Sequence, residues 1–322
     1  MKLCMFLPPK PDHRWTLASQ AGVRFAVVKA DPKLTGLGGP WERGVLGQLQ
    51  QRFADGGFTL LGLEGDPFDM SRIKQGLAGR DEDIERYRQM LGELGRLGLR
   101  LLCYNFMVGI GWHRTRADVP WRGGALTSRY DVAEMPSDPL PGVGVLDEAA
   151  VWGHYRTFIE AVLPAAEAAG VRMGLHPDDP PTSPLRGIAR IFSSPDGFDR
   201  ALQLSTSPSH GVTFCQANFV AMGADVASLI RRWRDRIAFI HFRDIVGDAR
   251  NFTETFHDEG PTDMPRMLAA YHAAGLDVPL RPDHAPTMHG ESNDDLGYAI
   301  LGRVFAAGYI RGIAHALDIP ME

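Results

Sequence analysis

Cysteine is nearly absent from this chain, with three in 322 residues, Cys4, Cys103 and Cys215. An odd number of widely separated thiols argues against a disulfide framework and fits free thiols in a reducing compartment. Long apolar runs are missing too. No segment approaches the roughly 18 consecutive apolar residues of a membrane-spanning helix. The apolar opening is stopped by Pro8-Pro9, short of a signal-peptide core. The expected location is therefore the cytoplasm, away from membranes. There is no basic excess: Lys and Arg total 34 against 39 Asp and Glu, for a net charge of −5. Neither a nucleic acid nor an anionic membrane is expected as a partner. No GxGxxG turn, internal repeat or low-complexity tract occurs.

Ordinary globular composition is what remains, 44% hydrophobic and 23% charged. Short apolar runs alternate with longer amphipathic stretches. Strands are expected at 2–6, 24–29, 59–64, 99–105, 172–176, 211–215, 237–241 and 278–281. Several are almost continuously apolar, as parallel strands buried on both faces should be. The clearest helices fall at 81–97, 148–169, 195–204, 224–234, 262–274 and 294–307. Eight β→α units in sequence favour a closed (β/α)₈ TIM barrel, with residues 1–322 as a single domain. An open doubly wound sheet is the alternative, and the missing Gly-rich phosphate turn counts against it. Two stretches break the rhythm: 107–147, rich in Pro, Gly and Arg, and the polar 247–261. Both follow a strand's C-terminal end, so both are expected on the catalytic face of a barrel. The sequence is compatible with a homo-oligomer and does not specify one.

The strand ends carry the chemistry. They finish in Glu64, Asn105, His176, Cys215, His241 and Asp283, which a barrel would gather at one rim. Imidazole, thiolate and carboxylate are all competent ligands for borderline divalent metals. Taken singly, a strand-end His is more often a satisfied core or loop residue, and a Cys a small hydrophobe. Their shared position on four strands is what suggests a metal site. After His176, the run Pro177-Asp178-Asp179-Pro180-Pro181 should form a stiff turn. One of its carboxylates is a candidate to orient the His176 ring. In Arg281-Pro282-Asp283-His284 a cation, a carboxylate and an imidazole crowd one strand end, an arrangement that shifts pKa values. His257 and Glu259 lie in the late polar loop, and Tyr298 is expected to open the last main helix.

These residues sit in longer motifs. HPDDPP at 176–181, TFC at 213–215, HFRD at 241–244, FTETFHDEGPTDM at 252–264 and RPDH at 281–284 resemble the mannonate dehydratase family. So do CYNFM at 103–107, WHRTR at 112–116 and GYAILGRVFAAGYIRG at 297–312. The likeness runs from about residue 60 to the C-terminus. It implies a xylose isomerase-like barrel and a hydro-lyase that converts D-mannonate, a small sugar acid, to 2-keto-3-deoxy-D-gluconate with Mn²⁺ or Fe²⁺. Carried over motif by motif, it implies His176, Cys215, His241 and Asp283 as metal ligands. Tyr298 matches the family's catalytic tyrosine. Asp283 falls in the same acid–base region, and His257 is a catalytic or substrate-contact candidate. Asn105, Glu64, Arg281 and His284 would line the sugar-acid site, with Arg281 opposite the substrate carboxylate. His284 or His257 would be a further proton donor.

The chain departs from the family pattern in its opening, at Lys29-Ala30-Asp31-Pro32, at Gly111 before Trp112, and at Ala285-Pro286 after RPDH. All but the opening are predicted rim positions. The implied substrate is therefore D-mannonate or a related aldonate. A metal-dependent isomerase or epimerase on the same barrel is the second reading, and a sugar- or metal-binding barrel without turnover the third.

Overall fold

A computed structural model describes all 322 residues. Twelve strands occur in chain order: β1 (Lys2–Phe6), β2 (Phe25–Val28), β3 (Thr59–Glu64), β4 (Leu101–Tyr104), β5 (Arg116–Pro120), β6 (Leu126–Asp131), β7 (Arg172–Leu175), β8 (His210–Cys215), β9 (Ile237–Phe242), β10 (Ile245–Asp248), β11 (Asn251–Glu254) and β12 (Pro279–Pro282). Eight of them close a barrel in the order β1-β12-β9-β8-β7-β4-β3-β2. Every neighbouring pair is parallel. The eight expected strands are these eight: β1 and β3 match at both ends, and the other six differ by one or two residues at one end or both.

Burial explains why the runs read so clearly. β8 and β9 are buried at every position, so their sequences HGVTFC and IAFIHF carry apolar residues on both faces. One face turns into the barrel, where Cys4, Val27, Leu101, Cys103, Ala238 and Phe239 form a compact cluster. The other packs on the helical layer in a core of 68 buried residues. The helix Glu148–Ala169 shows the logic of that layer. Asp147 caps its N-terminus by accepting from Ala150 N at 2.8 Å, and Gly170 ends it at φ 63°. Val151, Tyr155, Phe158, Ile159, Val162 and Ala166 recur at helical spacing on its buried face.

Three features differ from the sequence expectation. The stretch 107–147 is not all loop, because β5 and β6 form a hairpin within it. β10 and β11 form a second hairpin, and β11 pairs with β6, giving one antiparallel sheet in the order β10-β11-β6-β5. Pairing between segments about 120 residues apart leaves no local periodicity to read. Helices also occupy His13–Gln20 and Val45–Asp55. Finally, the last helix begins at Ile300, not at 294. Gly297 at φ 75° breaks any earlier turn, and Tyr298 is held in that turn by its N–H to Asp295 O at 2.7 Å. No helix is long and apolar enough to cross a membrane.

A buried chain of hydroxyls and imidazole ties helix to barrel. His210 Nε2 lies 3.0 Å from the Tyr155 hydroxyl, which lies 3.1 Å from that of Tyr104. Burial pulls the His210 pKa from 6.5 down to about 4, with Arg236 adding to the fall. Above pH 6.5 neither the folded nor the unfolded chain protonates this group, so its contribution is complete. As pH falls toward 4 the unfolded chain takes up a proton that the folded one refuses, and stability drops by up to about 1.4 kcal/mol per pH unit. His210→Gln is expected to flatten the fall of Tm between pH 6.5 and 4; an unchanged slope in acid melting curves would count against this origin.

Candidate active site

Four neighbouring barrel strands bring the proposed ligands together. His176 follows β7, Cys215 ends β8, His241 lies in β9 and Asp283 follows β12. In the sheet register Cys215 is opposite His241, and His241 is opposite Arg281, which sets these side chains at one level. One ligand atom from each of His176, Cys215, His241 and Asp283 falls within 4.8 Å of all the others.

The electronic state of this quartet suits a cation. His176 Nδ1 donates to Pro177 O at 2.7 Å, which leaves Nε2 with its lone pair. The orienting group is thus a backbone carbonyl and not Asp178 or Asp179. Asp178 accepts from Phe192 N, and Asp179 from Arg114 and Arg243. Burial lowers the His176 pKa to about 4 and holds the His241 pKa well below its ordinary value, which favours neutral rings. Neither His241 nitrogen has a hydrogen-bond partner, although the side chain is only 1% exposed. Two unsatisfied buried nitrogens are costly unless something occupies the space between these groups. Burial pushes the Cys215 thiol up, with Arg243 opposing. Burial also acts to raise the Asp283 pKa, but the guanidinium groups of Arg281 and Arg243 outweigh it and hold the group well below the usual carboxylate range.

Beneath the quartet lies a charge network that sequence reading missed. Arg243 donates to Asp283 Oδ2 at 2.8 Å, Glu254 Oε2 at 3.1 Å, Asp179 Oδ2 at 2.8 Å and Asn218 Oδ1 at 2.7 Å. Arg114 bridges Asp179 and Glu254. Arg243, Arg114, Asp179 and Glu254 are all buried. These residues lie inside the motifs HFRD, WHRTR, HPDDPP and FTETFHDEGPTDM, but nothing in the motifs alone joins them into one network.

Above the quartet, a cavity of about 300 Å³ is lined by Glu64, Asn105, His176, Arg281, Asp283, His284 and Tyr298 among others. His284 links both sides. Its Nδ1 lies 3.0 Å from Glu254 Oε1 and its Nε2 lies 3.2 Å from the Tyr298 hydroxyl. Trp112 packs against the His284 ring with centroids 4.9 Å apart. Arg281 reaches Glu64 Oε1 at 2.5 Å and Asp283 Oδ1 at 2.8 Å, while its buried Nε has no partner. Asn105 is largely committed, accepting from Lys74 Nζ at 2.8 Å and from Met107 N at 3.1 Å. His257 does not line the cavity. Its Nε2 donates to Phe242 O at 2.7 Å.

The comparisons with known proteins converge on one family. The profile of the D-mannonate dehydratase (UxuA) family matches residues 16–143 and 141–321. The chain belongs to the mannonate dehydratase family. Mannonate dehydratase 2 of Halalkalibacterium halodurans is 33% identical over 335 residues, covering 92% of this chain and 96% of the relative. The mannonate dehydratase of Shouchella clausii is 30% identical over 352 residues, covering 96% and 98%. The crystal structure of mannonate dehydratase from Streptococcus suis serotype 2 superposes with TM-score 0.89 at 26% identity, over 98% of this chain and 93% of that one. D-psicose 3-epimerase from Clostridium cellulolyticum H10 shares the fold at TM-score 0.58 and 13% identity, over 99% and 97%. Membership of the mannonate dehydratase family makes the chain a lyase of the hydro-lyase class.

Proposed function

We propose that this chain removes water from a sugar acid, D-mannonate or a related aldonate, to give the 2-keto-3-deoxy acid, and that it requires a divalent transition metal. The observation that carries the reading is one cavity lined by His176 and Asp283, two members of the His176–Cys215–His241–Asp283 quartet, together with the His284–Tyr298 pair. The quartet would hold the ion; its mixed nitrogen, sulfur and oxygen donors accept several divalent transition metals, and the family resemblance points to Mn²⁺ or Fe²⁺ among them. When bound, the ion would supply positive charge to stabilise the anion that develops as substrate C2 loses its proton.

The rest falls to the chain. Arg281 and Glu64 line the cavity, and each keeps an unpartnered polar atom, Nε and Oε2; Arg281 would donate to the substrate carboxylate and Glu64 would accept from a hydroxyl. Glu254 is held ionised by Arg243, Arg114 and His284 against the pull of its burial. As an anion it accepts Nδ1–H of His284, which leaves the lone pair on Nε2, beside the Tyr298 hydroxyl, to take the C2 proton. Burial raises the Tyr298 pKa far above its ordinary value, with Arg281 opposing, so the phenol starts protonated. It is the donor to the departing C3 hydroxyl. A proton then passes from His284 to Tyr298 across their 3.2 Å contact and restores both groups. The C3 hydroxyl leaves as water with the proton from Tyr298, the C2 proton ends on Tyr298, and the enol relaxes to the ketone. Asp283 is the wrong group for proton transfer, being held ionised by its cationic neighbours, so its part is that of ligand. His257 is too far into the protein wall to act on substrate.

An isomerase using paired carboxylates is not favoured. Glu259 accepts from Trp121 Nε1 at 2.7 Å and lies outside the cavity, which leaves Glu64 as its one glutamate beside Asp66, paired with Lys74, and the proposed ligand Asp283. The test is to load the full chain with Mn²⁺ and screen hexonates and pentonates for 2-keto-3-deoxy acids. Product from at least one aldonate is expected. No product from any, with metal bound, would remove the lyase reading.

A further inference from the structure

One cation in the cavity wall has no partner. Arg281 is occupied by Glu64 and Asp283, and Lys74 Nζ holds Asp66 at 2.7 Å. Lys29 lines the same cavity, and its ammonium has no carboxylate within ion-pair reach. The residue directly follows β2, and β2 is diametrically opposite β8, four strands away in either direction round the closed barrel. β8 carries Cys215, so Lys29 faces the quartet from the far side of the mouth. Its stem is laid along the turn at Gly65: a carbon at the Gly65 Cβ position would stand 3.8 Å from Lys29 Cδ.

Space continues past this side chain. Lys29, Asp66, Met107 and Gly111 line both the active-site cavity and a second basin of about 440 Å³. Of the basin's carboxylates, Asp66 is neutralised by Lys74, Asp31 caps Lys33 N at 2.9 Å and Asp69 caps Ser71 N at 2.9 Å. A side chain at Gly111 would meet nothing within 4 Å, so the passage is open there.

We propose that Lys29 is a specificity residue for sugar acids with a second anion at the chain end opposite the reacting carboxylate. This inference rests on the dehydratase reading of the same cavity. A substrate whose C1 carboxylate is turned toward Arg281 and the quartet directs its far end toward Lys29. Neutral-ended D-mannonate would offer that ammonium only a hydroxymethyl group. A terminal carboxylate or phosphate would form a charge-assisted hydrogen bond in a partly desolvated wall. The eliminated atoms are the same for either substrate.

The experiment measures kcat/KM of the Mn²⁺-loaded full chain for D-mannonate, the corresponding hexarate and the 6-phosphohexonate, with native protein, Lys29→Met and Lys29→Glu. One anion-ended acid is expected to exceed D-mannonate, and its identity separates carboxylate from phosphate. Lys29→Met should lower the ratio of that acid to D-mannonate by roughly ten- to a hundredfold, and Lys29→Glu by more. Preference for D-mannonate, or a ratio unmoved by Lys29→Met in a protein with native melting behaviour, overturns the proposal. Product from no acid at all would be a failure of the dehydratase reading instead. Calorimetric binding of the three acids then decides Lys29 by itself: tighter binding of an anion-ended acid that Lys29→Met abolishes supports it, and equal binding overturns it.

Discussion

Tyr298→Phe is expected to lower kcat by roughly 10²- to 10⁴-fold, the usual worth of a positioned acid, while metal content stays native. The ring itself should remain in place. It packs against Phe6 with centroids 5.4 Å apart, and the guanidinium carbons of Arg281 and Arg303 lie 5.8 and 5.7 Å from its centroid. What the variant loses is one hydroxyl, 3.2 Å from His284 Nε2 and facing the cavity. KM should move far less than kcat, since a donor to the departing hydroxyl is used chiefly in the transition state. Steady-state kinetics on the aldonate found by the substrate screen would check it. A loss under tenfold would leave Tyr298 as packing and return the acid role to another group.

Arg243→Met is expected to be the most destabilising single change near the site, by about 3–5 kcal/mol. The guanidinium has no exposed surface and is shared among Asp283, Glu254 and Asp179. Methionine fills much of the volume but leaves three buried carboxylates without this cation. Arg114 still serves Asp179 and Glu254. Asp283 keeps Arg281 at 2.8 Å. Repulsion among the acids should therefore appear as a large fall in denaturation midpoint. Adding Glu254→Gln to Arg243→Met should recover part of the loss, because it removes one of the orphaned charges. If urea titrations put Arg243→Met within 1 kcal/mol of native protein, roughly the worth of an exposed pair, the network is not the support described here.

The parts of the molecule that could be read from sequence were those governed by local pattern. β8 and β9 announce themselves because burial on both faces demands unbroken apolar runs, and His176, Cys215, His241 and Asp283 stand out as polar residues ending such runs. The β5–β6 and β10–β11 sheet was invisible because its central pairing joins residues such as Phe252 and Tyr130, far apart in the chain. Arg243, Arg114 and Glu254 were missed for a related reason. Charged residues in a polar loop look solvated until the fold brings their partners in from three directions. Tyr298 was found by its motif but placed on a helix. Only the positive φ of Gly297 shows that the turn, not the helix, presents its hydroxyl to His284.

The central claim is that four strand ends form one metal centre on which turnover depends. Metal stoichiometry and turnover, measured on the same samples of native protein and Cys215→Ala after Mn²⁺ loading and desalting, test it most directly. Native protein should retain one ion per chain and dehydrate its aldonate, and chelation should abolish both. Cys215→Ala should retain much less metal and lose activity in proportion. Full metal occupancy in Cys215→Ala, or undiminished turnover by chelated native protein, would contradict the account.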